Sequence, residues 1–275
     1  FLRQAVSVRL PPSAMPSRLQ LTSVTLRVAD LTRSLAFYAG QLGFTVREKS
    51  DHRAALAADP AGPVRLTLLE VPGAAPAPAE AAGLFHAALL LRDRAALGAW
   101  LQRAADAGVN FDGFADHGVS DALYLADPDG NGLEVYADRP SATWPRESNG
   151  ELGMYTRALD LRKLVSEGAA VTDSPLRGAR WGHLHLRVTD LARSEAFYRN
   201  ALGMDTMQRS FPGARFLAAD GYHHHLGLNT WGRPRLPRPA GALGLAEAVF
   251  ARDGATAGTL NDPDGIAVRL EATIA

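Results

Sequence analysis

The strongest constraint on this chain is an internal duplication. The segment LRVADLTRSLAFY at residues 26–38 returns as LRVTDLARSEAFY at residues 186–198, and each copy runs on to a Leu-Gly pair. A second motif, Asp-Pro-Asp-Gly, also occurs twice, at residues 127–130 and 262–265. Self-similarity at a fixed spacing decides the architecture of a chain before any local pattern does. The sequence therefore predicts a repeated structural unit.

The composition limits what this unit does. Lys plus Arg equals Asp plus Glu, at 29 each, so no basic surface for nucleic acid or acidic membrane is indicated. The chain has no cysteine, which leaves histidine and carboxylate as the side chains able to hold a metal. No apolar run is long enough to span a bilayer, and the first ten residues lack a signal-peptide core. We expect a cytoplasmic protein with no membrane partner.

Each repeat reads as a strand, a helix and then further strands. Alternating apolar residues open the unit, and Asp30 or Asp190 is placed to cap the helix that the Leu-Gly pair ends. A related unit starts at Gly83, and its counterpart starts at Gly244. The spacing from Gly244 to the second Asp-Pro-Asp-Gly motif is shorter than in the earlier unit by roughly one helix and its loop. The last unit is therefore expected to be truncated.

These patterns predict an α+β fold made of four βαβββ modules, the last one truncated, which form two curved mixed-sheet half-barrels. A leader at residues 1–18 is expected to be disordered, and residues 141–178 are expected to link two halves. The first half spans 19–140, with modules 19–74 and 82–140. The second half spans 179–275, with modules 179–232 and 241–275. Within the linker, residues 159–161 are expected to form a short packed segment.

The two repeated motifs resemble the vicinal-oxygen-chelate superfamily of glyoxalase I, bleomycin-resistance proteins and type I extradiol dioxygenases. The histidine-containing stretches at residues 116–120, 182–186 and 221–225 narrow the resemblance to four-module catechol 2,3-dioxygenases. This resemblance implies an Fe(II) ion held by two histidines and one glutamate, with Mn(II) able to use the same ligands. Carried over by position, the ligands are His86 and Glu134 of module two and His183 of module three.

The other two modules do not complete such a site. Module one has Ser23 where module three has His183, and module four has Glu247 and Arg269 where module two has His86 and Glu134. Arginine is always protonated and offers no lone pair to a metal. Only modules two and three together supply the three ligands. We therefore expect module two to pair with three, module one to pair with four, and each chain to hold one iron.

Each ligand also has a plainer interpretation. A lone histidine on an apolar strand, such as His86, is commonly a hydrogen-bonded core residue. An unpaired buried carboxylate at Glu134 costs several kcal/mol, which favours a cation beside it. His183 and His185 lie two residues apart, so a strand turns both to the same face. His183 matches the ligand position better, and His185 is expected to face substrate or to support the ligands.

The resemblance also implies groups that act on the substrate. His224 matches the active-site histidine of the family, although the neighbouring His223 or His225 takes that role in a different strand register. His117 and Tyr124 match a histidine and a tyrosine that contact substrate. The remaining residues expected to bind substrate are His185, His223, His225 and Trp231.

The function expected from these residues is extradiol cleavage of a catechol-type ring by O₂, in the catabolism of aromatic compounds. The partners would be a small aromatic diol and O₂. Two alternatives remain open: a glyoxalase-type metal-dependent isomerase or lyase, and a metal-free protein that binds small molecules such as drugs. The sequence also leaves open a homo-oligomer in which modules two and three meet between chains.

Overall fold

The computed structural model of the protein describes residues 19–232 and 235–273. The expected leader at residues 1–18 lies outside the described residues. Within the described part of the chain the fold is mixed α+β, with two mixed sheets, one of them curled into a half-barrel, as the sequence predicts. No described helix has the length and apolar character needed to cross a membrane.

The four modules follow one another along the chain. Module one contains β1 (Leu19–Val28), α1 (Leu31–Leu35), which continues as a π-helical segment (Ala36–Gln41), β2 (Thr45–Lys49), β3 (Arg53–Ala57) and β4 (Leu66–Glu70). Module two contains β5 (Gly83–Leu90), α2 (Arg94–Asp106), β6 (Gly113–Asp116), β7 (Ser120–Ala126) and β8 (Gly132–Asp138). A 3₁₀ turn (Ser141–Thr143) and α3 (Leu161–Gly168) lie between the halves.

The second half repeats this order. Module three contains β9 (Arg180–Arg187), α4 (Leu191–Leu202), β10 (Asp205–Gln208), β11 (Ala214–Ala218) and β12 (Leu226–Asn229). Module four consists of β13 (Gly244–Arg252), β14 (Gly258–Asn261) and β15 (Ala267–Ala272). No helix separates β13 from β14 in this described segment, so the expected truncation is confirmed.

The modules pair as the count of metal ligands predicts. One sheet has the strand order β14-β15-β13-β1-β4-β3-β2 and joins modules four and one. The other has the order β10-β11-β12-β9-β5-β8-β7-β6 and joins modules three and two. In each sheet the opening strands of two modules run antiparallel at the centre, β1 beside β13 and β5 beside β9. The permuted pairing is therefore confirmed.

Helix ends follow the repeated motif. The carboxylates of Asp30 and Asp190 accept hydrogen bonds from the backbone N–H groups of Arg33 and Arg193, which satisfies a donor left free at each helix start. Gly203 ends α4 in the left-handed conformation at φ 61°. The first copy differs, because a π-helical segment rather than one continuous α-helix precedes Gly43. Nothing in the structure explains this widening.

In the segment expected to pack within the linker, Leu159 and Leu161 lie partly buried against the core, and α3 begins at Leu161. Its N-cap is Asp160, and it lies against α2, where glycines at 98 and 168 permit close contact between the two backbones. A Cβ at Gly98 would stand 2.0 Å from the carbonyl oxygen of Leu164. The main apolar core takes buried residues from both sheets and from these helices, which fixes the eight-stranded sheet as a rigid platform for the site.

Candidate metal centre and active site

Three adjacent strands place His86, Glu134 and His183 together. They lie on β5, β8 and β9, at the centre of the eight-stranded sheet. In the strand register, Ala88 of β5 stands opposite both Glu134 and His183. His86 is two residues before Ala88, so alternation along the strand turns its side chain to the same face. The module pairing thus brings the three side chains to one point.

The distances between these groups suit a metal ion. His86 Nε2 lies 3.0 Å from Glu134 Oε2, and His183 Nε2 lies 3.1 Å from the same oxygen. The potential ligand atoms all lie within 4.8 Å of one another. Two ligands at right angles on one ion, each about 2.1 Å from it, stand roughly 3.0 Å apart. The two histidine-to-glutamate separations match that spacing.

Hydrogen bonding within the protein does not satisfy the cluster. The His86 Nε2 atom is buried and, despite its closeness to Glu134, makes no hydrogen bond of acceptable geometry to a described residue. A buried ring nitrogen without a hydrogen-bond partner lowers the stability of the folded protein unless a cation or a proton donor binds it. The donor set of two imidazoles and one carboxylate therefore fits a divalent metal such as Fe(II), Mn(II) or Zn(II).

Electrostatics keep the donors in the form that binds metal. Burial lowers the pKa of His183 to about 4, against the opposing pull of Glu134, so its imidazole is neutral near pH 7. Burial raises the pKa of Glu134, but the Coulombic and hydrogen-bonding effects of His183 outweigh it and hold that pKa well below the usual range. A neutral imidazole and an ionised carboxylate are the states that coordinate a cation.

The equivalent position in the other sheet carries an ion pair instead. Arg269 Nε lies 3.4 Å from Glu247 Oε1, where module two has Glu134 and His86. Among the described residues, the cluster of His86, Glu134 and His183 is the only group of at least three potential ligands. The structure therefore provides one candidate metal centre in this part of the chain.

The cluster opens into a cavity of about 420 Å³. Aromatic side chains form much of its wall, and the rings of Phe85 and Trp231 meet at 5.7 Å between centroids. His185 also lines the cavity, and its ring lies 5.0 Å from that of His86. An apolar cavity of this size with a few convergent polar groups is typical of a small-molecule site. Arg187 lies at the same wall with its guanidinium over Phe85.

His117 and Tyr124 face the same cavity and contact each other. The Tyr124 hydroxyl lies 2.6 Å from His117 Nε2, and His117 Nδ1 lies 2.7 Å from the carbonyl oxygen of Tyr155. A carbonyl only accepts, so His117 carries its proton on Nδ1 and Tyr124 donates to Nε2. Burial and the neighbouring Glu134 raise the pKa of Tyr124 well above 10. The tyrosine is thus a neutral hydroxyl beside the candidate metal centre.

The three consecutive histidines take different positions. His224 lines the cavity, and its ring centroid is 4.1 Å from that of His183. His223 points away from the cavity, bonded to Asp138 at 2.8 Å, and His225 Nδ1 accepts a hydrogen bond from the backbone of Ala219. The structure therefore brings His224 to the site and keeps His223 and His225 out of the cavity lining, contrary to the substrate contacts expected for them.

A tight turn precedes the three histidines. Asp220 and Gly221 have φ values of 56° and 76°, two left-handed residues in succession, and β12 starts at Leu226. The histidines lie in the irregular segment between this turn and β12.

Two features of the site were not predicted. Asp138 ends β8, four residues after Glu134, and holds His223 from outside the cavity. The even spacing from Glu134 was a signal that both side chains turn to one face of β8. The second feature is Gly227, where a Cβ would lie 2.8 Å from the His185 ring. The glycine makes room for that histidine.

Comparison with known proteins agrees with the fold. The family model of the glyoxalase/bleomycin resistance protein/dioxygenase superfamily matches residues 20–135 and 180–249. The chain belongs to this superfamily. It is 45% identical over 225 residues to the catechol-2,3-dioxygenase of Bacillus subtilis (strain 168), which covers 80% of this chain and 78% of the relative.

Two solved structures share the fold at low sequence identity. A provisionally assigned dioxygenase from Bacillus subtilis subsp. subtilis str. 168 is 12% identical and superposes with a TM-score of 0.62, over 92% of this chain and 84% of its own. Glyoxalase I from Zea mays is 19% identical and superposes with a TM-score of 0.54, over 92% of each chain. These similarities show the architecture alone.

Proposed function

We propose that the protein is an Fe(II)-dependent extradiol dioxygenase that opens a catechol-type ring. The observation that carries the proposal is the convergence of two histidines and one glutamate on a mainly apolar cavity, in a chain 45% identical to a catechol-2,3-dioxygenase. Two imidazoles and one carboxylate are the donor set typical of non-heme Fe(II) oxygenases. The proposed partners are therefore a small aromatic diol and O₂.

The ion and the protein have separate roles in this proposal. Bound Fe(II), held by His86, Glu134 and His183, would supply the redox chemistry that lets a singlet organic ring react with O₂. The same ligands suit Mn(II). Zn(II) would bind but offers no redox change. Both oxygen atoms of O₂ enter the product, a ring-opened semialdehyde acid, so the reaction needs no external reductant.

The chain's own groups manage protons and position. His224 is buried beside His183 and faces the cavity, and it is the proposed base that takes a proton from a diol hydroxyl. Tyr124 and His117 form a hydrogen-bonded pair that is proposed to hold a substrate oxygen. His185 and the aromatic wall with Trp231 are proposed to orient the ring and exclude water.

The position that would give a glyoxalase-type site its second acid is a glycine. Gly227 on β12 pairs with His185, as Glu134 on β8 pairs with Ala88, so it is the module-three equivalent of Glu134. The described strand β12, Leu226–Asn229, carries no carboxylate. This favours the dioxygenase over the metal-dependent isomerase or lyase, and the convergent ligands favour it over a metal-free binding protein.

The test is anaerobic loading with Fe(II), followed by catechol and then air, with the yellow ring-opened product followed by absorbance. We expect product from the wild type and from Glu247→Gln, a control in the other sheet, and none from Glu134→Gln. Bound iron without product from catechol or its alkyl and halo derivatives would indicate the isomerase or lyase. Failure to bind any divalent metal would indicate the metal-free binding protein.

A further inference from the structure

A chain of hydrogen bonds leads out of the cavity behind His224. His224 Nδ1 lies 2.7 Å from His223 Nδ1, and His223 Nε2 lies 2.8 Å from Asp138 Oδ1. His223 is fully buried, whereas the Asp138 side chain is 27% exposed. The three residues therefore connect the active-site imidazole to a carboxylate at the protein surface.

The order of donors along this chain follows from the carboxylate. Ionised Asp138 only accepts hydrogen bonds, so His223 Nε2 carries the proton that fills the 2.8 Å contact. With His223 holding this single proton, its Nδ1 has a lone pair and accepts from His224 Nδ1. In this arrangement His224 carries its proton on Nδ1, and its Nε2 has a lone pair.

We propose that Asp138 and His223 are positioning residues that hold His224 in the tautomer whose Nε2 accepts a proton. The proposal rests on the proposed function, because it assumes that His224 acts on a substrate hydroxyl. Asp138 has the orienting role that the buried aspartate has in serine proteases, where the wrong histidine tautomer abolishes most of the activity. Here the carboxylate acts through one additional imidazole.

The same carboxylate has a second partner that provides a control. The Tyr222 hydroxyl lies 3.0 Å from Asp138 Oδ2, 3.2 Å from Asp138 Oδ1 and 2.8 Å from the Tyr136 hydroxyl. Tyr222→Phe removes these contacts and leaves the Asp138 carboxylate in place to accept from His223. If Asp138 has only a structural role, Tyr222→Phe should impair the protein as well. If Asp138 sets the tautomer of His224, Tyr222→Phe should leave that tautomer unchanged.

The direct test is ¹⁵N NMR of histidine-labelled protein loaded with diamagnetic Zn²⁺. The ring signals of His224 are assigned by their absence in His224→Gln. We expect a protonated Nδ1 and an unprotonated Nε2 for His224. A protonated Nε2, alone or with Nδ1, overturns the proposal. This measurement needs no turnover, so it stands even if the dioxygenase assay of the proposed function fails.

The kinetic test compares Asp138→Asn with Tyr222→Phe in the Fe(II) enzyme. We expect kcat to fall roughly 10- to 100-fold in Asp138→Asn, the usual range for a lost supporting partner, with KM nearly constant. Tyr222→Phe should stay within about twofold of the wild type. Equal losses in both variants, or an unchanged kcat in Asp138→Asn, would show that the network is structural only.

A second pair of variants covers the case in which Asp138→Asn does not fold. His223→Gln offers an amide oxygen that can accept from His224 Nδ1, whereas His223→Leu removes every acceptor. We expect His223→Gln to preserve the His224 tautomer in the NMR spectrum and to retain more kcat than His223→Leu. Equal tautomer populations in the two variants would contradict the proposal.

Discussion

We expect the buried imidazole of His225 to make the protein sensitive to mild acid, and its replacement to remove part of that sensitivity. Burial lowers the pKa of His225 to about 3, and the nearby His223 adds to the effect. Its Nδ1 accepts a hydrogen bond from the Ala219 N–H, so a proton on Nδ1 would set two donors against each other. The folded protein therefore resists protonation that the unfolded chain accepts at an ordinary pKa of 6.5.

The sign and size of the effect follow from proton linkage. A histidine whose pKa is lowered on folding stabilises the protein fully above pH 6.5 and loses that contribution as the pH falls toward the folded pKa. At pH 5.5 the protonated form of His225 outnumbers its neutral form by about ten to one in the unfolded state. This lowers the free energy of unfolding by about 1.4 kcal/mol for this one residue. Three other buried imidazoles also have lowered pKa values through burial, so the wild type loses more in total. They are His183, His185 and His224.

The assay is urea unfolding of chelator-treated protein at pH 7.5 and pH 5.5, followed by circular dichroism. In His225→Gln the loss of unfolding free energy between the two pH values should be smaller than in the wild type by about 1.4 kcal/mol. His52→Gln is the matched control, because the His52 side chain is 67% exposed. A pH-dependent loss in His225→Gln equal to that of the wild type would refute the burial argument.

Three further predictions concern the site and the fold. In Glu134→Gln the loss of the anionic ligand should abolish the rise in Tm that a divalent metal at 100 times its Kd gives the wild type, roughly 5 °C for a stabilisation of about 2.7 kcal/mol. Tyr38→Phe removes a 3.0 Å hydrogen bond to buried Asp127, and urea unfolding should show a loss of about 1.5–3 kcal/mol. Gly132→Ala would place a Cβ 1.9 Å from a backbone oxygen of β5, so its unfolding free energy should fall by roughly 3 kcal/mol or more, while exposed Gly258→Ala should change it by less than about 1 kcal/mol.

Sequence reasoning succeeded where position along a strand decides the outcome. The family resemblance assigns His86, Glu134 and His183 as ligands by their positions in the modules, and the inability of Arg269 to bind a metal predicts which modules pair. The strand register then brings the three groups together, because residues two apart on a strand share a face. The helix caps at Asp30 and Asp190 were likewise local signals.

The remainder depended on geometry that no local pattern encodes. Two left-handed residues, Asp220 and Gly221, turn the chain before the three histidines, and only the folded structure shows that His224 faces the cavity while His223 contacts Asp138. The bond between Asp138 and His223 joins residues 85 positions apart, and only the folded sheet places them side by side. The space that Gly227 leaves for His185 depends in the same way on two neighbouring strands.

The repeated motifs themselves lie outside the site and join the two sheets. The Tyr38 hydroxyl donates to Asp127 across the boundary between modules one and two, and the Tyr198 hydroxyl donates to Asp262 across that between modules three and four. Each bond therefore joins the two sheets. The donating tyrosine belongs to a module of the seven-stranded sheet in the first bond and to a module of the eight-stranded sheet in the second.

Each sheet combines one module of the N-terminal half with one module of the C-terminal half. A cut in the connection between the halves would therefore leave neither fragment with a complete sheet. The N-terminal fragment would keep an imidazole and the carboxylate, and the C-terminal fragment would keep the other imidazole. Neither could close a coordination sphere alone. Metal binding would return only on reunion of both fragments, which makes this duplication a natural basis for split-protein complementation.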